Sequence, residues 1–245
     1  IAAIRDVILP FAKLRPYEGR TRVFIILEAD RMHADASDAL LKVLEEPPND
    51  VVFVLTSDRP ELLPATIQSR CQILQFHPLP LEQVSRILRD AYRATDEQSE
   101  VLGRLSRGSI GWAIQASKED AIYADVHQRL ERIADAVEGT LETRFSYANQ
   151  LARRFRQNRR TVREDLRLWL QWLRDIVLIQ QGLGPQIVNL PWRDTLERQA
   201  SQLQPAESVR WAHGIAETIE LLDRNANPRL ALEALMIDAP KLMSN

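Results

Sequence analysis

The chain holds one cysteine, Cys71, in 245 residues. A lone thiol excludes an internal disulfide framework and a cysteine-based zinc site, and it suits a reducing cytoplasm. Glycine is scarce, at 19, 103, 108, 111, 139, 182, 184 and 214, and none of these is followed by Lys-Ser or Lys-Thr. A phosphate-wrapping loop needs that glycine-rich pattern so that its backbone N–H groups can surround the anion. The chain therefore brings no phosphate cradle of its own. No apolar run approaches the ~18 residues of a membrane span, and the N-terminus lacks a basic-then-apolar leader. The histidines at 33, 77, 127 and 213 have no ligand spacing and read as structural, so no metal site is expected. The net charge of −2 gives no global pull toward nucleic acid or a membrane.

What is present is an ordinary globular balance, 45% hydrophobic and 27% charged. Ile1 to Leu14 carries a helical stripe that breaks at Pro16 and Gly19. Because the chain starts at Ile1 inside that stripe, an N-terminal part is expected ahead of it. Val23–Leu27 and "VVFVLTS" (51–57) read as strands apolar on both faces, as in a parallel sheet covered by helices. Between them, Ala36, Ala39, Leu40, Val43 and Leu44 follow helical spacing up to Pro47-Pro48. "QILQF" (72–76) reads as a third strand. Strand–helix–strand order implies an α/β layer over 1–78. "HPLPLEQ" is a linker, after which only helices are expected. A small three-helix unit spans 79–121, with Gly108 closing one helix and Ser109 as N-cap of the next. An all-α region fills 122–245.

The chemistry-bearing residues cluster around the strands. The first strand runs into Leu27, Glu28 and Asp30. In phosphate–metal sites an acid ends such a strand and helps hold Mg²⁺; Leu27 cannot coordinate a hard cation. Glu28 is left either to orient a water or, with Asp30, to cap the following helix, and capping is the favoured reading. Thr56 and Ser57 end the second strand, either to sense a γ-phosphate or as strand-end caps. Ser69-Arg70-Cys71 precedes the third strand. Arg70 is either a solvated charge or a guanidinium that reaches a neighbour's γ-phosphate. Cys71 reads as a buried small hydrophobe. Arginines 153, 154, 156, 159, 160 and 163 surround the start of a helix whose face holds Leu166, Trp169, Leu170, Leu173, Ile176 and Val177. That periodicity makes Trp169 a core or interface residue, and a solvated or subunit-facing basic surface is favoured over direct DNA contact.

Three segments carry a resemblance: "PYEGRTRVFIILEADRMHADASDALLKVLEEPP", "VFVLTSDRPELLPATIQSRCQILQF" and "NANPRLALEALMI". Their order resembles the delta-prime family of bacterial DNA polymerase III clamp-loader subunits, which are AAA+ proteins. The resemblance implies a partial AAA+ α/β domain (1–78), a lid (79–121) and a helical collar (122–245). It places the first strands of the ATPase fold upstream of Ile1, where active relatives also carry a P-loop and a zinc module. It makes Arg70, within Ser69-Arg70-Cys71, an arginine finger acting in trans, and it places Thr56 at a sensor position. Leu27 stands where motor subunits have Asp beside Glu28, and Gly111 stands where a lid arginine would sense nucleotide. The family thus implies no intrinsic ATPase activity and no cofactor in this chain, with ATP and Mg²⁺ at a neighbouring subunit. The implied partners are the motor and delta subunits in a hetero-pentameric ring, and the sliding clamp and primer-template DNA through that assembly. The alternative is a catalytic motor subunit whose P-loop lies upstream.

Overall fold

The computed structural model describes residues 3–12, 14, 16–17 and 19–240. They fall into two compact units that divide between Phe76 and His77.

The first unit is a small α/β layer. A π-helical segment, Ala3–Ile8, runs into α1 (Leu9–Ala12). Next come β1 (Arg22–Ile26), α2 (Ala34–Glu45), β2 (Val51–Leu55) and α3 (Ala65–Gln68). The strands are parallel, with Arg22 opposite Val51 and Ile26 opposite Leu55. Phe24 and Phe53 stack across the ladder with ring centroids 5.2 Å apart, a cross-strand aromatic pair that fixes the register. One face of the sheet, through Ile26, Phe53 and Leu55, packs on Ala36, Ala39 and Leu40 of α2 and on Ile4. Pro47 and Pro48 follow the last turn of α2 and stop it.

Two expectations fail here. The sheet is covered on one face only: Val23, Ile25, Val52 and Val54 lie open, with Ile25 65% exposed. The second apolar face has no cover among the described residues. The expected strand at 72–76 does not form, and Ile73, Leu74 and Phe76 are exposed. A strand is stabilised by the ladder of a neighbour, and no described backbone pairs with this segment.

The second unit is all helical, with two cores. α4 (Leu81–Tyr92), α5 (Asp96–Ser106) and α6 (Ile110–Lys118) enclose Val84, Leu88, Leu102, Ala113 and Ala116. Thr95 and Gln98 form a reciprocal capping box that starts α5. Gly108 has φ +83°, and a Cβ there would lie 2.6 Å from the Leu79 carbonyl oxygen. Only glycine fits that turn. Ser109 occupies the N-cap position of α6, but its hydroxyl makes no capping bond, contrary to expectation.

The larger core is built by α7 (Asp120–Glu138), α8 (Leu141–Gln157), α9 (Arg159–Gln180), α10 (Arg193–Gln202), α11 (Pro205–Asp223) and α12 (Pro228–Ile237). Trp112 packs against both cores. Asn158 starts α9 by accepting from the Arg160 and Thr161 N–H groups. Helix α9 is central: Leu166, Trp169, Trp172, Leu173 and Ile176 are fully buried. Each such side chain contributes about 1.5–3 kcal/mol of transfer free energy. The indole N–H groups are satisfied, Trp169 donating to the Tyr147 hydroxyl at 3.1 Å, Trp172 to Gln199 Oε1 at 2.8 Å and Trp211 to the Leu235 carbonyl at 3.0 Å. A buried indole without a partner would cost free energy. In "NPRLALEALM", Asn227 caps α12 and Pro228 opens it, while Leu232, Leu235 and Met236 enter the core.

Candidate functional site

The candidate site lies in the first unit, at the C-terminal ends of β1 and β2. Crevices outside strand C-termini are where open α/β sheets take ligands. β1 stops at Ile26, and Leu27 stands in the turn after it, 71% exposed. An exposed alkyl side chain at this position offers nothing to a divalent cation. Glu28 adopts φ 51°, the left-handed region, which is uncommon for a residue with a Cβ. Its carboxylate pairs with Arg31 at 2.7 Å. Its N–H donates to Thr56 Oγ1 at 3.3 Å, and the Ala29 N–H donates to the Thr56 carbonyl at 2.8 Å. The Thr56 N–H in turn donates to Ile26 O at 2.9 Å. Every polar group of Thr56 is thus engaged with the Ile26–Ala29 turn, as in a strand-end cap.

Glu28 and Asp30 do not cap the long helix α2, whose N-cap is His33. Glu28 instead precedes the short 3₁₀ turn Ala29–Arg31, with no side-chain cap. Asp30 points back to the sheet with its side chain fully buried. It accepts from Ser57 Oγ at 2.9 Å and meets Arg59 Nη2 at 3.5 Å. Ser57 Oγ also accepts from the Arg59 N–H at 3.0 Å. A buried carboxylate needs such partners. This Asp30–Ser57–Arg59 link ties the two strand ends together. Sequence reasoning missed it, and the signal was the pair of Ser57 and Arg59 right after a strand that parallels the one before Asp30.

Arg70 follows α3. Its guanidinium donates to Glu45 Oε1 at 2.8 Å and to the Thr66 carbonyl at 2.9 Å, with the Ser69 hydroxyl at 3.4 Å. The Arg70 and Glu45 side chains are 34% and 52% exposed, so water screens the pair. Ser69 is exposed and its hydroxyl donates to the Thr66 carbonyl at 3.1 Å. Cys71 is half-buried, not buried as expected. Burial pushes its thiol up from the usual range, which disfavours a reactive thiolate. Gly111 lies in the second unit, exposed in the first turn of α6, and a Cβ there would meet nothing within 4 Å. A side chain at 111 would therefore be accommodated; its absence is not imposed by packing. Among the described residues no group of His, Cys, Asp and Glu is arranged to hold a metal ion, and no helix is long and apolar enough to cross a membrane.

Half of the arginines around the start of α9 are paired with carboxylates within the chain. Arg154 and Arg129 flank the buried Asp165, Arg163 pairs with Asp223, and Arg160 pairs with Glu164. Arg159 donates to Asn225 Oδ1 at 2.8 Å. Arg154, Arg160 and Arg163 are thus paired with carboxylates within the chain, while Arg153 and Arg156 are exposed.

A parallel βαβ layer followed by a long helical remainder defines the fold class, an α/β start with helical domains after it. The chain is similar over 96% of its length to a solved DNA polymerase III gamma subunit-related protein from Thermotoga maritima, with TM-score 0.50, 20% identity and 76% of that chain covered. The family described as "DNA polymerase III, delta subunit" matches residues 1–80. DNA polymerase III subunit delta' of Bacillus subtilis is 24% identical over 220 residues, covering 90% of this chain and 66% of that protein. DNA polymerase III subunit tau of Escherichia coli is 35% identical over 134 residues, covering 52% of this chain and 20% of that protein. The chain is similar to DNA polymerase III subunits, and its likeness to a delta' subunit extends over 90% of its length. It spans about two-thirds of the delta-prime relative and a fifth of tau.

Proposed function

We propose that the chain works as a clamp-loader subunit that does not hydrolyse ATP and presents Arg70 to the ATP of a neighbouring motor subunit. The observation that carries this reading is the contrast between Leu27 and Arg70. The metal-strand position holds an exposed leucine, while the guanidinium is solvent-accessible, its one counter-charge is the screened Glu45, and its other bonds go to the neutral Thr66 carbonyl and Ser69 hydroxyl. A surface ion pair is worth about 0–1 kcal/mol, so exchanging Glu45 for a γ-phosphate costs little. A guanidinium delivered in trans stabilises the charge of phosphoryl transfer. The partners in this reading are the motor and delta subunits of a hetero-pentameric ring, with ATP and Mg²⁺ on the neighbour. Through that ring the chain acts on the sliding clamp and primer-template DNA in the cytoplasm. Residues 1–78, 79–121 and 122–245 serve as AAA+ part, lid and collar. The test is ATP hydrolysis by the full-length protein alone and after addition to motor and delta subunits. The reading expects no turnover alone and stimulated turnover in the assembly; turnover by the protein alone overturns it.

A second reading, a catalytic motor subunit, is favoured by the 35% identity to tau. Leu27 and Gly111 weigh against it, because neither can contact metal or phosphate through a charged side chain. The same measurement separates the two.

A further inference from the structure

A cavity of about 630 Å³ in the second unit, between α5 and α9, is lined by four arginines, Arg104, Arg107, Arg167 and Arg174, together with Gln171. Two of these cations are compensated within the chain. Arg104 pairs with Glu100 at 2.9 Å and donates to the Pro185 and Ile187 carbonyls. Arg174 donates to Asp175 Oδ1 at 3.3 Å. The guanidiniums of Arg107 and Arg167 make no hydrogen bond or ion pair among the described residues, and both side chains are exposed at the cavity. None of the cavity's lining residues is a carboxylate. Like charges held together in this way disfavour the empty state.

Gln171 is the second observation. It is only 6% exposed, it lines the cavity, and its side-chain Nε2 has no hydrogen-bond partner. A buried amide donor left unpaired costs about 1–3 kcal/mol, so such groups call for a partner. The amide O and N exchange places by rotation about the last side-chain bond, which would turn the NH₂ group from its buried position toward an oxygen in the cavity. Planar guanidiniums beside an amide donor suit the tetrahedral oxygens of a phosphate, which accept in pairs from Arg. The volume falls in the range of small-molecule sites, roughly 300–1,000 Å³.

We infer that this cavity is a binding site for a small phosphate-bearing anion, held by Arg107, Arg167 and the Gln171 amide, with Arg104 and Arg174 supporting the positive field. It is independent of the function proposed above, since no residue of it belongs to the strand-end site or to Arg70.

The test is calorimetric titration of the full chain with inorganic pyrophosphate at low ionic strength. Saturable binding is expected. Arg107→Ala and Arg167→Ala each weaken it by about tenfold, the loss of one charge-assisted bond. Both positions are exposed, so these variants fold; Gln171→Leu, checked by its unfolding curve, weakens binding as well. Arg153→Ala, an exposed arginine outside the cavity, leaves affinity unchanged. Absence of binding at millimolar pyrophosphate overturns the inference, as does unchanged affinity in the Arg107→Ala/Arg167→Ala double variant. An equal loss in Arg153→Ala, which marks diffuse charge, also overturns it. A short single-stranded oligodeoxynucleotide forms the second arm. Competition between it and pyrophosphate, lost in the arginine variants, supports a shared phosphate site; oligonucleotide binding without pyrophosphate binding overturns the small-ligand assignment.

Discussion

Arg70 Nη2 donates to Glu45 Oε1 at 2.8 Å, joining the last turn of α2 to the residue just past α3. Because both side chains are substantially exposed, the bond is a weak latch. Glu45→Gln should change unfolding free energy by less than about 1 kcal/mol. In an assembled loader it should leave stimulated ATP hydrolysis intact, since it frees the guanidinium without removing it. Urea unfolding and a steady-state ATPase assay check the two halves.

Asp165 is a different case. It is 1% exposed and lies between Arg129, itself 9% exposed, and Arg154 at 3.1 Å. Removing the carboxylate leaves the buried Arg129 guanidinium with only the exposed Asp125, at 3.4 Å, as counter-charge. Asp165→Ala is expected to destabilise the second unit by about 3–5 kcal/mol, read as a shifted urea midpoint for the helical signal.

Tyr147 supplies a pH prediction. Burial, reinforced by the Asp165 charge, raises its hydroxyl above the ordinary tyrosine value. The folded state therefore keeps a proton that the unfolded state releases above about pH 10. The associated stability is fully present below that value and is lost as pH rises toward the raised folded value. Tyr147→Phe should flatten this alkaline loss. It also removes the acceptor of the Trp169 indole N–H, so at neutral pH it should cost about 1–3 kcal/mol. Unfolding curves at neutral and alkaline pH test both effects.

Arg144 is buried and donates to four carbonyls: Ala136 and Val137 at the end of α7, and Ala239 and Pro240 beyond α12. It works as a staple between two helix ends, with burial lowering its pKa from the ordinary arginine value. A lysine keeps the charge but lacks the planar fork. Arg144→Lys should therefore accelerate hydrogen exchange at the end of α12 more than in α9, which mass spectrometry resolves.

The legibility of these features in the sequence follows their range. The stripe Leu166, Trp169, Leu173 and Ile176 was readable because a helix repeats every 3.6 residues, and all four are buried. Trp172 lies off that stripe and is equally buried, because α9 is surrounded by other helices. β1 and β2 were readable from their apolar runs. The segment 72–76 also carries apolar residues, Ile73, Leu74 and Phe76, and stays unpaired, since pairing is set by neighbours and not by local pattern. Nothing local sets Arg144 apart from other helix arginines, because its acceptors lie as far as 96 residues away. At the end of β1, Leu27 was legible as an apolar residue where a metal site would need an acid, whereas the role of Asp30 required the fold to bring Ser57 beside it.

The most direct measurement is single-site ATP hydrolysis in a loader whose other ATP sites are disabled, comparing the wild-type chain with Arg70→Ala. An arginine finger is worth about 10³–10⁵ in kcat. The account predicts a fall of at least about a thousandfold at the neighbouring site, with ATP binding there retained. Hydrolysis at the wild-type rate with Arg70→Ala in place would contradict it.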